Sequence, residues 1–360
     1  MRKLASIRQI SNIQPIEGKD KIVLATIDGW HVIVKKDEFA VGDLCVYVEI
    51  DSVMPEKPEY EFLRKKNFRI RTMRMGGVIS EGICFPVDFL PSGHYEFGQD
   101  VTELMGVKQY EPTMDIESTI EKKDNPADKY PRWLMRFAWF RKLVLHGKAL
   151  GRSFPSLVSK SDEQRIQNLP QVLNNREKQW IPTEKIDGCS ATYLLVRKKK
   201  HFPFKDKFDF YVCSRNYRVP VDDNSHYWKI AHKYDIEWVL RQLINGREWV
   251  CFQGEIVGPN IQKNKYKLKD YDLYLYNFID EHGRYSSVIG EAVAHKFEMN
   301  WVPLFDSTTL PETVDEVLKM AHGYSKINPD VLREGLVFRS IDGKDSFKAV
   351  DPEFLIKYNE

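Results

Sequence analysis

Residues 181–190 read IPTEKIDGCS, and the interpretation of the whole chain starts from this stretch. Lys185 stands two residues before Asp187 and three before Gly188, ahead of the apolar run 191–196. A lysine held at the end of a strand beside a carboxylate and a glycine turn is a candidate covalent nucleophile. A surface Asp-Gly hairpin turn next to a lysine has the same local sequence, and for the stretch taken alone this turn is the favoured interpretation.

The composition indicates a globular protein from a reducing compartment. The chain has 360 residues, enough for two domains, and its 42% hydrophobic content excludes a disordered protein. The net charge of +2 excludes a globally basic nucleic-acid binder, so any such surface is a local patch. The five cysteines are scattered, without a Cys-x-x-Cys pair, which argues against disulfides and a thiolate zinc site. With no signal peptide and no membrane-spanning run, we expect a cytoplasmic protein with no membrane partner. We also expect it to be a monomer.

Residues 1–108 predict an all-β domain. Short apolar alternations are separated by turn signals such as Asp28-Gly29 and Gly76-Gly77. This pattern suits a small barrel of the oligonucleotide-binding (OB) type. A basic cluster interleaved with Phe68 is either a phosphate-backbone surface or a solvated strand face, and its members are Arg64, Lys65, Lys66, Arg69, Arg71 and Arg74.

Residues 109–152 form a predicted linker. Its second half predicts a basic, aromatic helix that begins near Pro131 and ends near Gly147, with Trp133, Phe137 and Phe140 at helical spacing. The helix either lies along a nucleic-acid duplex or packs the two domains together. Aromatic stripes usually face a core, which favours packing.

Residues 153–360 predict an α+β domain. Ser161 and Gln164 have the spacing of a capping box, which predicts a helix through about residue 173. Further helices are expected at 228–243, 287–298 and 313–320. Strands are expected at 179–183, 191–197, 208–213, 249–257, 272–279, 336–340 and 346–350.

Five stretches downstream of Lys185 carry chemistry in a fixed order. They are SRN at 214–216, QGEIVG at 253–258, YNFID at 276–280, REGLV at 333–337 and SFKAV at 346–350. Each stretch taken alone is consistent with ordinary strand residues that have no catalytic role. Together they answer one chemical need, the attack of a lysine amine on the α-phosphorus of a nucleoside triphosphate. That attack requires a deprotonated amine, a divalent metal, cations for the developing charge and a clamp on the base.

The order KIDG, SRN, QGEIVG, YNFID, EGLV, SFKAV resembles motifs I, Ia, III, IIIa, IV and V of the covalent nucleotidyltransferases, which include RNA ligases, DNA ligases and mRNA capping enzymes. DNA ligases and capping enzymes place an OB domain after motif V, where only ten residues follow Val350 here. The candidate barrel comes first instead, with EGKDKIVLATIDGWHVIVKK at 17–36 and VGDLCVYVEIDSVMP at 41–55. These two stretches, and the segment 154–169 that precedes the Lys185 motif, are similar to the nick-sealing, ATP-dependent RNA ligases with an N-terminal OB domain, the RNA ligase family five type.

The resemblance implies an N-terminal OB-like β-barrel followed by a C-terminal adenylyltransferase domain of antiparallel sheets flanked by helices, a nucleotidyltransferase with an ATP-grasp-like ligase character. It also implies a role for each motif residue. Lys185 is the adenylylated nucleophile, and the ATP site includes Glu184 at the adenine edge, Gly188, Phe278 stacked on adenine, and Lys348 on the α-phosphate. Asp187, Glu255 and Glu334 organise Mg²⁺ or Mn²⁺. Arg215 contacts AMP and then the 5′-phosphate. The basic cluster of the OB domain, and not a motif, supplies the expected nucleic-acid contacts at Arg69, Arg71 and Arg74.

The expected function is an ATP-dependent RNA ligase that seals 3′-OH/5′-phosphate nicks in duplex RNA or an RNA/DNA hybrid. RNA is expected on the 3′-OH side, and lysyl-AMP and an adenylylated 5′ end are the intermediates. The alternatives are a DNA ligase, a capping guanylyltransferase, or a non-catalytic OB-fold protein that binds nucleic acid. One position departs from the pattern: some RNA ligases have two lysines in motif V, and Ser346 stands where the first would be.

Overall fold

The computed structural model describes residues 3–110, 153–199 and 206–358. The predicted linker helix from Pro131 to Gly147 lies outside these residues. Within them, no helix is long and apolar enough to cross a membrane.

The first domain is built on a five-stranded antiparallel sheet in the order β3-β2-β1-β4-β8. Its edge strands, β3 and β8, lie close together, so the sheet curls toward a barrel. The strands are β1 (Ala5–Ile16), β2 (Lys19–Ile27), β3 (Trp30–Lys35), β4 (Leu44–Val48), β5 (Ser52–Val53), β6 (Thr72–Met75), β7 (Val78–Glu81), β8 (Ile83–Pro86) and β9 (Lys108–Gln109). A 3₁₀ helix, Pro58–Lys66, and the short helix α1, Thr102–Met105, complete the domain. The predicted OB architecture is confirmed.

The second domain contains two sheets. A three-stranded antiparallel sheet has the order β10-β17-β18, and a six-stranded sheet has the order β12-β11-β13-β14-β15 with β16 beside β14. Their strands are β10 (Trp180–Lys185), β11 (Cys189–Lys198), β12 (Lys207–Cys213), β13 (Trp249–Val257), β14 (Asp272–Asp280), β15 (Gly283–Arg284), β16 (Asn300–Trp301), β17 (Gly335–Ser340) and β18 (Ser346–Val350). This arrangement confirms the predicted α+β class.

The helices of the second domain flank these sheets. They are α2 (His226–Lys233), α3 (Ile236–Leu243), α4 (Ser287–Lys296), α5 (Val314–Ala321) and α6 (Pro352–Tyr358). The single helix predicted at 228–243 is two helices, because Asp235 adopts a left-handed conformation between them. The start of α5 is fixed by a capping box, in which Thr313 and Glu316 satisfy each other's backbone N–H groups.

The helix predicted from Ser161 is wrong. Residues 166–168 and 170–174 form only two short 3₁₀ turns, with Leu169 between them. Pro170 prevents an α-helix from running through this segment. The residues before them are extended, since the backbone of Arg165 bridges to that of Lys348 in β18. Tertiary pairing with β18 therefore overrides the local capping signal.

The two domains share a hydrophobic core at their contact. Val350, Phe354 and Leu355 of the second domain belong to the same buried cluster as the OB sheet. The side chain of Trp30 donates a hydrogen bond to Asn168 across the contact, at 2.8 Å. The barrel is therefore packed onto the second domain and not merely tethered to it.

Candidate active site

A cavity of about 530 Å³ lies between the two sheets of the second domain and the OB domain. It brings together most of the residues that the motifs singled out. They are Glu184, Lys185, Asp187, Gly188, Arg215, Glu255, Glu334 and Lys348. Residues more than 160 positions apart in the sequence thus line one space.

Lys185 ends β10, directly opposite Gly335 of β17. Its Nζ donates a hydrogen bond of 2.6 Å to Glu334 Oε2. Burial by itself lowers the pKa of Lys185, but the charges of Glu334, Glu255 and Asp187 outweigh it and raise the pKa above its ordinary value. The lysine is therefore held as an ammonium until the negative charge around it is neutralised.

Glu255 and Asp187 complete the carboxylate group around the lysine. Burial, reinforced by Glu334 and Asp187, raises the pKa of Glu255 to about 8, although Lys185 opposes the shift. Asp187 is buried and forms an ion pair with Lys265, a partner that sequence reasoning missed. Crowded carboxylates of this kind are hard oxygen donors that suit Mg²⁺ or Mn²⁺.

The described residues contain no cluster of three or more His, Cys, Asp or Glu side chains arranged to ligate a metal directly. Asp187, Glu255 and Glu334 all line the cavity, and as hard oxygen donors they would suit a hydrated divalent cation, which they would hold through its water shell. The expected role of the three carboxylates stays a prediction.

Gly188 is required by close packing at the start of β11. A Cβ at this position would lie 2.3 Å from the carbonyl oxygen of Ile256 in β13. Any other residue would push the strand that follows Lys185 away from the strand that carries Glu255. Glycine thus keeps the lysine and the carboxylate within one cavity.

Glu184 is buried beneath the cavity and turned toward the segment after α5. Its carboxylate accepts hydrogen bonds from Ser325 Oγ at 2.5 Å and from the Lys326 N–H at 2.8 Å. Burial raises its pKa, against these two hydrogen bonds. Its predicted place at the adenine edge remains a prediction.

Arg215 and Lys348 both approach Asp162. The Arg215 Nη2 lies 3.4 Å from Asp162 Oδ2, and the Lys348 Nζ lies 3.0 Å from Oδ1. Burial lowers the pKa of Lys348 to about 8, opposed by Asp162. The two cations that the motifs assign to phosphate therefore converge on one anion in this structure.

Phe278 does not line this cavity. It is 3% exposed and packs against Phe252 and against Tyr285, whose ring is stacked on it at 4.6 Å. The aromatic residue of β14 that lines the cavity is Tyr276, whose hydroxyl lies 2.6 Å from Ser161 Oγ. The expectation that Phe278 stacks on adenine is therefore corrected.

A β-bulge explains this difference. Asn277 pairs with Gln253 and Leu275 pairs with Gly254, which leaves Tyr276 as the extra residue. A bulge inverts the alternation of side chains beyond it, so Leu275 and Phe278 both join the core while Tyr276 turns to the cavity. The sequence pattern gave no sign of it.

The basic cluster of the OB domain is divided by the structure. Arg69 and Arg71 line the cavity, whereas Arg74 does not and forms an ion pair with Glu353 of α6. Arg64 is paired with Glu61 in the 3₁₀ helix. The cluster is thus not one continuous surface, and the expected nucleic-acid contacts stay a prediction.

Ser346 lies near arginine side chains that come from other strands. Its hydroxyl donates to Glu163 Oε2 at 2.5 Å and accepts from Arg284 Nη2 at 3.1 Å. The Nη2 of buried Arg339 lies 3.6 Å from Glu163 Oε1. Guanidinium groups from β15 and β17 therefore stand close to the place where a motif V lysine was expected.

Comparison with known proteins places this cavity in a family. Residues 4–87 match a family model described as an OB-fold domain, and residues 178–358 match the model described as RNA ligase. The second match spans half of the chain. The chain belongs to the RNA ligase family.

Solved structures of a Naegleria gruberi RNA ligase extend the RNA ligase match to the whole chain. The complex with PPi is 32% identical, with a TM-score of 0.80, and the match covers 100% of this chain and 99% of that one. A mutant of the same ligase with ATP and Mn is 32% identical over 100% of both chains, also with a TM-score of 0.80. Another mutant, with AMP and Mn, is 31% identical over 98% of both chains. No curated protein matches the chain significantly.

The RNA ligase assignment confirms the predicted enzyme class and domain order. The expected cofactors, ATP and Mg²⁺ or Mn²⁺, agree with the ligands of the Naegleria complexes. Sequence reasoning missed Arg165, Lys265, Tyr276 and Arg339 in this site. The available signal was the SDEQR segment at 161–165, which was assigned to a helix and is instead part of the cavity wall.

Proposed function

We propose that this protein is an ATP-dependent RNA ligase that seals 3′-OH/5′-phosphate nicks in duplex nucleic acid, with RNA on the 3′-OH side. The observation that carries the proposal is the position of Lys185 in a cavity with three carboxylates, Arg215 and Lys348.

The first step is the transfer of AMP from ATP to Lys185. The amine must lose its proton before it attacks, and Glu334 at 2.6 Å holds it in place. A divalent cation, when bound near Asp187, Glu255 and Glu334, would offset their charge, lower the pKa of the lysine and stabilise the phosphate. Lys348 and Arg215 supply fixed positive charge to the α-phosphate.

A binding site for the adenine base requires an apolar surface and an aromatic ring that can stack on the base. Tyr276 lines the cavity and is held in one orientation by its hydroxyl contacts with Ser161 and Ser190. We assign the stacking role expected of Phe278 to Tyr276. Glu184 also lines the cavity and is proposed to fix the edge of the base.

The second and third steps use the same cavity. AMP passes from Lys185 to the 5′-phosphate of the nick, and the 3′-hydroxyl then attacks that phosphate and releases AMP. Positioning and charge stabilisation supply most of the rate, since the adenylylated end has a good leaving group. An A-form duplex is read through its shape and 2′-hydroxyls, which supports a substrate of nicked RNA or RNA/DNA hybrid with little sequence preference.

We further propose that the enzyme acts as a monomer in the cytoplasm. All five cysteines lie within the described residues, are buried and form no disulfide. Free thiols in this number are typical of a reducing compartment.

The test has two parts. The protein is incubated with α-labelled ATP and Mg²⁺ or Mn²⁺, and we expect a covalent protein-AMP adduct that Lys185→Ala abolishes. An adduct that persists in Lys185→Ala contradicts the assignment. A panel of nicked duplexes with RNA or DNA on each side is then sealed, and efficient sealing with a DNA 3′-OH strand would overturn the proposed preference.

A further inference from the structure

The six-stranded sheet of the second domain carries part of the cavity on one of its faces. Ser190 of β11 pairs with Glu255 of β13, and both line the cavity. Because side chains alternate along a strand, Leu194 and Val196 lie on this same face of β11, farther from the cavity. The opposite face is covered by α2 and α3. The cavity face of the sheet therefore continues outside the cavity, toward β12 at the end of the sheet.

Aromatic and basic side chains follow one another along β12 on this face. Tyr211 pairs with Leu194 of β11, which places its ring on the cavity face. The Cζ of Arg218 lies 4.4 Å over that ring. Two residues farther from the cavity, Asp209 is paired with Lys198 of β11. The contacts thus run without a break from the ring of Tyr211 to the far end of β11.

Tyr217 is an exposed ring on a fixed backbone. It is 51% exposed, but its carbonyl accepts a hydrogen bond of 2.8 Å from the N–H of Ser214. Its own N–H donates to the Oγ of Ser214 at 3.3 Å. Val219 is buried, and its N–H donates to the carbonyl of Val212 at 2.8 Å. A tyrosine that is presented in this way supplies contact area at a low cost in conformational entropy.

The turn that carries Tyr217 starts at the rim of the cavity. Arg215 lines the cavity and is the residue expected to contact the 5′-phosphate. Two residues span at most about 7 Å of chain, so Tyr217 lies close to that phosphate position. The Nζ of Lys160 donates a hydrogen bond of 2.9 Å to Oδ1 of Asn216 in the same turn. A strand whose 5′-phosphate lies at Arg215 is therefore within contact of this turn.

The surface along β12 has an excess of positive charge. The charged side chains that make these contacts are Lys160, Lys198, Arg215, Arg218, Asp162 and Asp209. The two acids are each paired with one of the four cations. Excess cations beside an exposed aromatic ring are the combination that binds a sugar-phosphate backbone.

We propose that the β12 strip, formed by Lys160, Lys198, Tyr211, Tyr217 and Arg218, binds the strand that carries the 5′-phosphate. Tyr217 packs against the first nucleotide of that strand, and the cations pair with the phosphates that follow. This inference rests on the proposed function, because it concerns the polynucleotide that this function joins. It places a substrate-binding surface on the second domain, outside the cavity.

The length of the β12 strip sets how much of the strand it holds. From Cys213, at the cavity end, to Asp209 the strand β12 covers about 13 Å. One strand of a duplex has a phosphate for roughly every 3.4 Å of the helix axis, so the strip matches about four nucleotides.

Tyr217→Ala and Arg218→Ala test the proposal in the full-length protein. Trp238→Ala is the control for the ring, because Trp238 is also 51% exposed. Arg241→Ala is the control for the cation, because its Cζ lies 4.7 Å over the ring of Phe208. Both control residues belong to α3, on the opposite side of the sheet.

Both test variants should lose affinity for the polynucleotide. Binding of a nicked duplex, measured by fluorescence anisotropy without ATP, should weaken at least about fivefold. Sealing of a nick that already carries a 5′-adenylyl group should slow by a similar factor at subsaturating duplex. Formation of the lysyl-AMP adduct should stay within about twofold of wild type, since no polynucleotide takes part in it. Arg218→Ala should also reduce the slope of the log binding constant against log salt concentration by about 0.7–0.9.

Methylphosphonate linkages, which lack the phosphate charge, identify the strand that is bound. Placed singly within about four nucleotides of the nick on the 5′-phosphate side, they should weaken binding by wild type and add little to Arg218→Ala. If only linkages in the 3′-OH strand or the template lose their effect in Arg218→Ala, the strip binds another strand and the proposal is overturned. Binding and sealing equal to wild type in both variants overturn it as well, and so does an equal loss of adduct formation.

Folding and the proposed function are tested separately. Where Tyr217→Ala lowers the melting temperature, Tyr217→Leu replaces it, and Tyr217→Phe, which keeps the ring, should bind the duplex within about twofold of wild type. A wild-type protein that forms no adduct contradicts the proposed function itself. The anisotropy and methylphosphonate results then still decide whether the strand binds along β12.

Discussion

The Nζ of Lys348 lies 3.0 Å from Oδ1 of Asp162, and this aspartate also lies 3.4 Å from Arg215. A carboxylate of the chain itself thus pairs with both cations that are proposed to hold phosphate. Nucleotide must compete with Asp162 for them. Binding of ATP phosphate to these cations would therefore require both ion pairs to be broken, which would reduce the affinity.

Asp162→Asn should strengthen ATP binding. An ion pair between partly exposed groups contributes about 0.2–1 kcal/mol, so we expect the apparent Kd for ATP to fall by about 1.4- to fivefold. The measurement is calorimetry on the Lys185→Ala background, where no adduct forms, at pH 6.5, where Lys348 stays charged. Asp37→Asn, an exposed acid of the OB domain, is the control. Weaker binding by Asp162→Asn would show that the aspartate supports the site instead of competing for it.

ATP binding should weaken with rising pH because of Lys348. Burial lowers the pKa of this lysine to about 8. The charged form, which attracts phosphate, is dominant below pH 8 and is lost above it, so affinity should decline between about pH 7 and pH 9. Lys348→Arg should remove this decline, since a guanidinium stays charged throughout. A decline that persists in Lys348→Arg must come from another group.

Substitution of Tyr276 should affect nucleotide binding, whereas substitution of Phe278 should affect the stability of the fold. Tyr276→Leu removes a ring from the cavity, and because stacking on a base contributes about 1–3 kcal/mol, the KM for ATP should rise about tenfold or more. Phe278→Leu alters the core, and it should lower the free energy of unfolding by about 1 kcal/mol with little change in KM. Steady-state adduct kinetics and chemical denaturation measure the two effects. The reverse result would restore Phe278 as the base-stacking residue.

Glu81 should make the folded protein less stable at alkaline pH. It is 2% exposed, and burial raises its pKa to about 7, opposed by Arg165 and His31. A carboxyl with a raised folded pKa contributes stability below its unfolded pKa of about 4.5 and loses it as pH rises through 7, here about 3 kcal/mol. Glu81→Gln should therefore raise the melting temperature at pH 8 and change it little at pH 5.

The control for Glu81 is Glu17→Gln, which removes an exposed acid. His31 acts in the same direction as Glu81, because Asp315 raises its pKa, and part of the slope should therefore remain in Glu81→Gln. Melting curves that are equally pH-dependent in wild type and Glu81→Gln would exclude the buried acid as their cause.

The domain contact changes how the OB domain can be tested. If the barrel were only tethered to the second domain, deletion of residues 1–108 would spare adduct formation and impair nick sealing. In the structure, that deletion removes the wall with Arg69 and Arg71 and exposes Phe354 and Leu355. Loss of adduct formation on deletion would then reflect misfolding as readily as a missing ligand, so single substitutions are the better experiment.

Much of the site was determined by the sequence alone. Lys185, Asp187, Glu255 and Glu334 were singled out because each stands in a short pattern of strand and turn residues, and the fixed order of the patterns resembles the nucleotidyltransferase motifs from which the proposed chemistry follows. Local alternation and capping signals also located β13, β14, β18 and α5 closely. These features depend on neighbours in the sequence, which is why reading the chain in order reveals them.

Only the tertiary structure decided which side chains face the cavity and which domain contributes them. The bulge at Tyr276 inverts the side-chain alternation of β14, and its cause is pairing with β13, more than twenty positions away. Arg165 is drawn out of a predicted helix by β18, and Asp51 meets it from the other domain. The sequence determined which lysine and which carboxylates are proposed to carry the chemistry, while long-range strand pairing and the domain contact determined how the site around IPTEKIDGCS is closed.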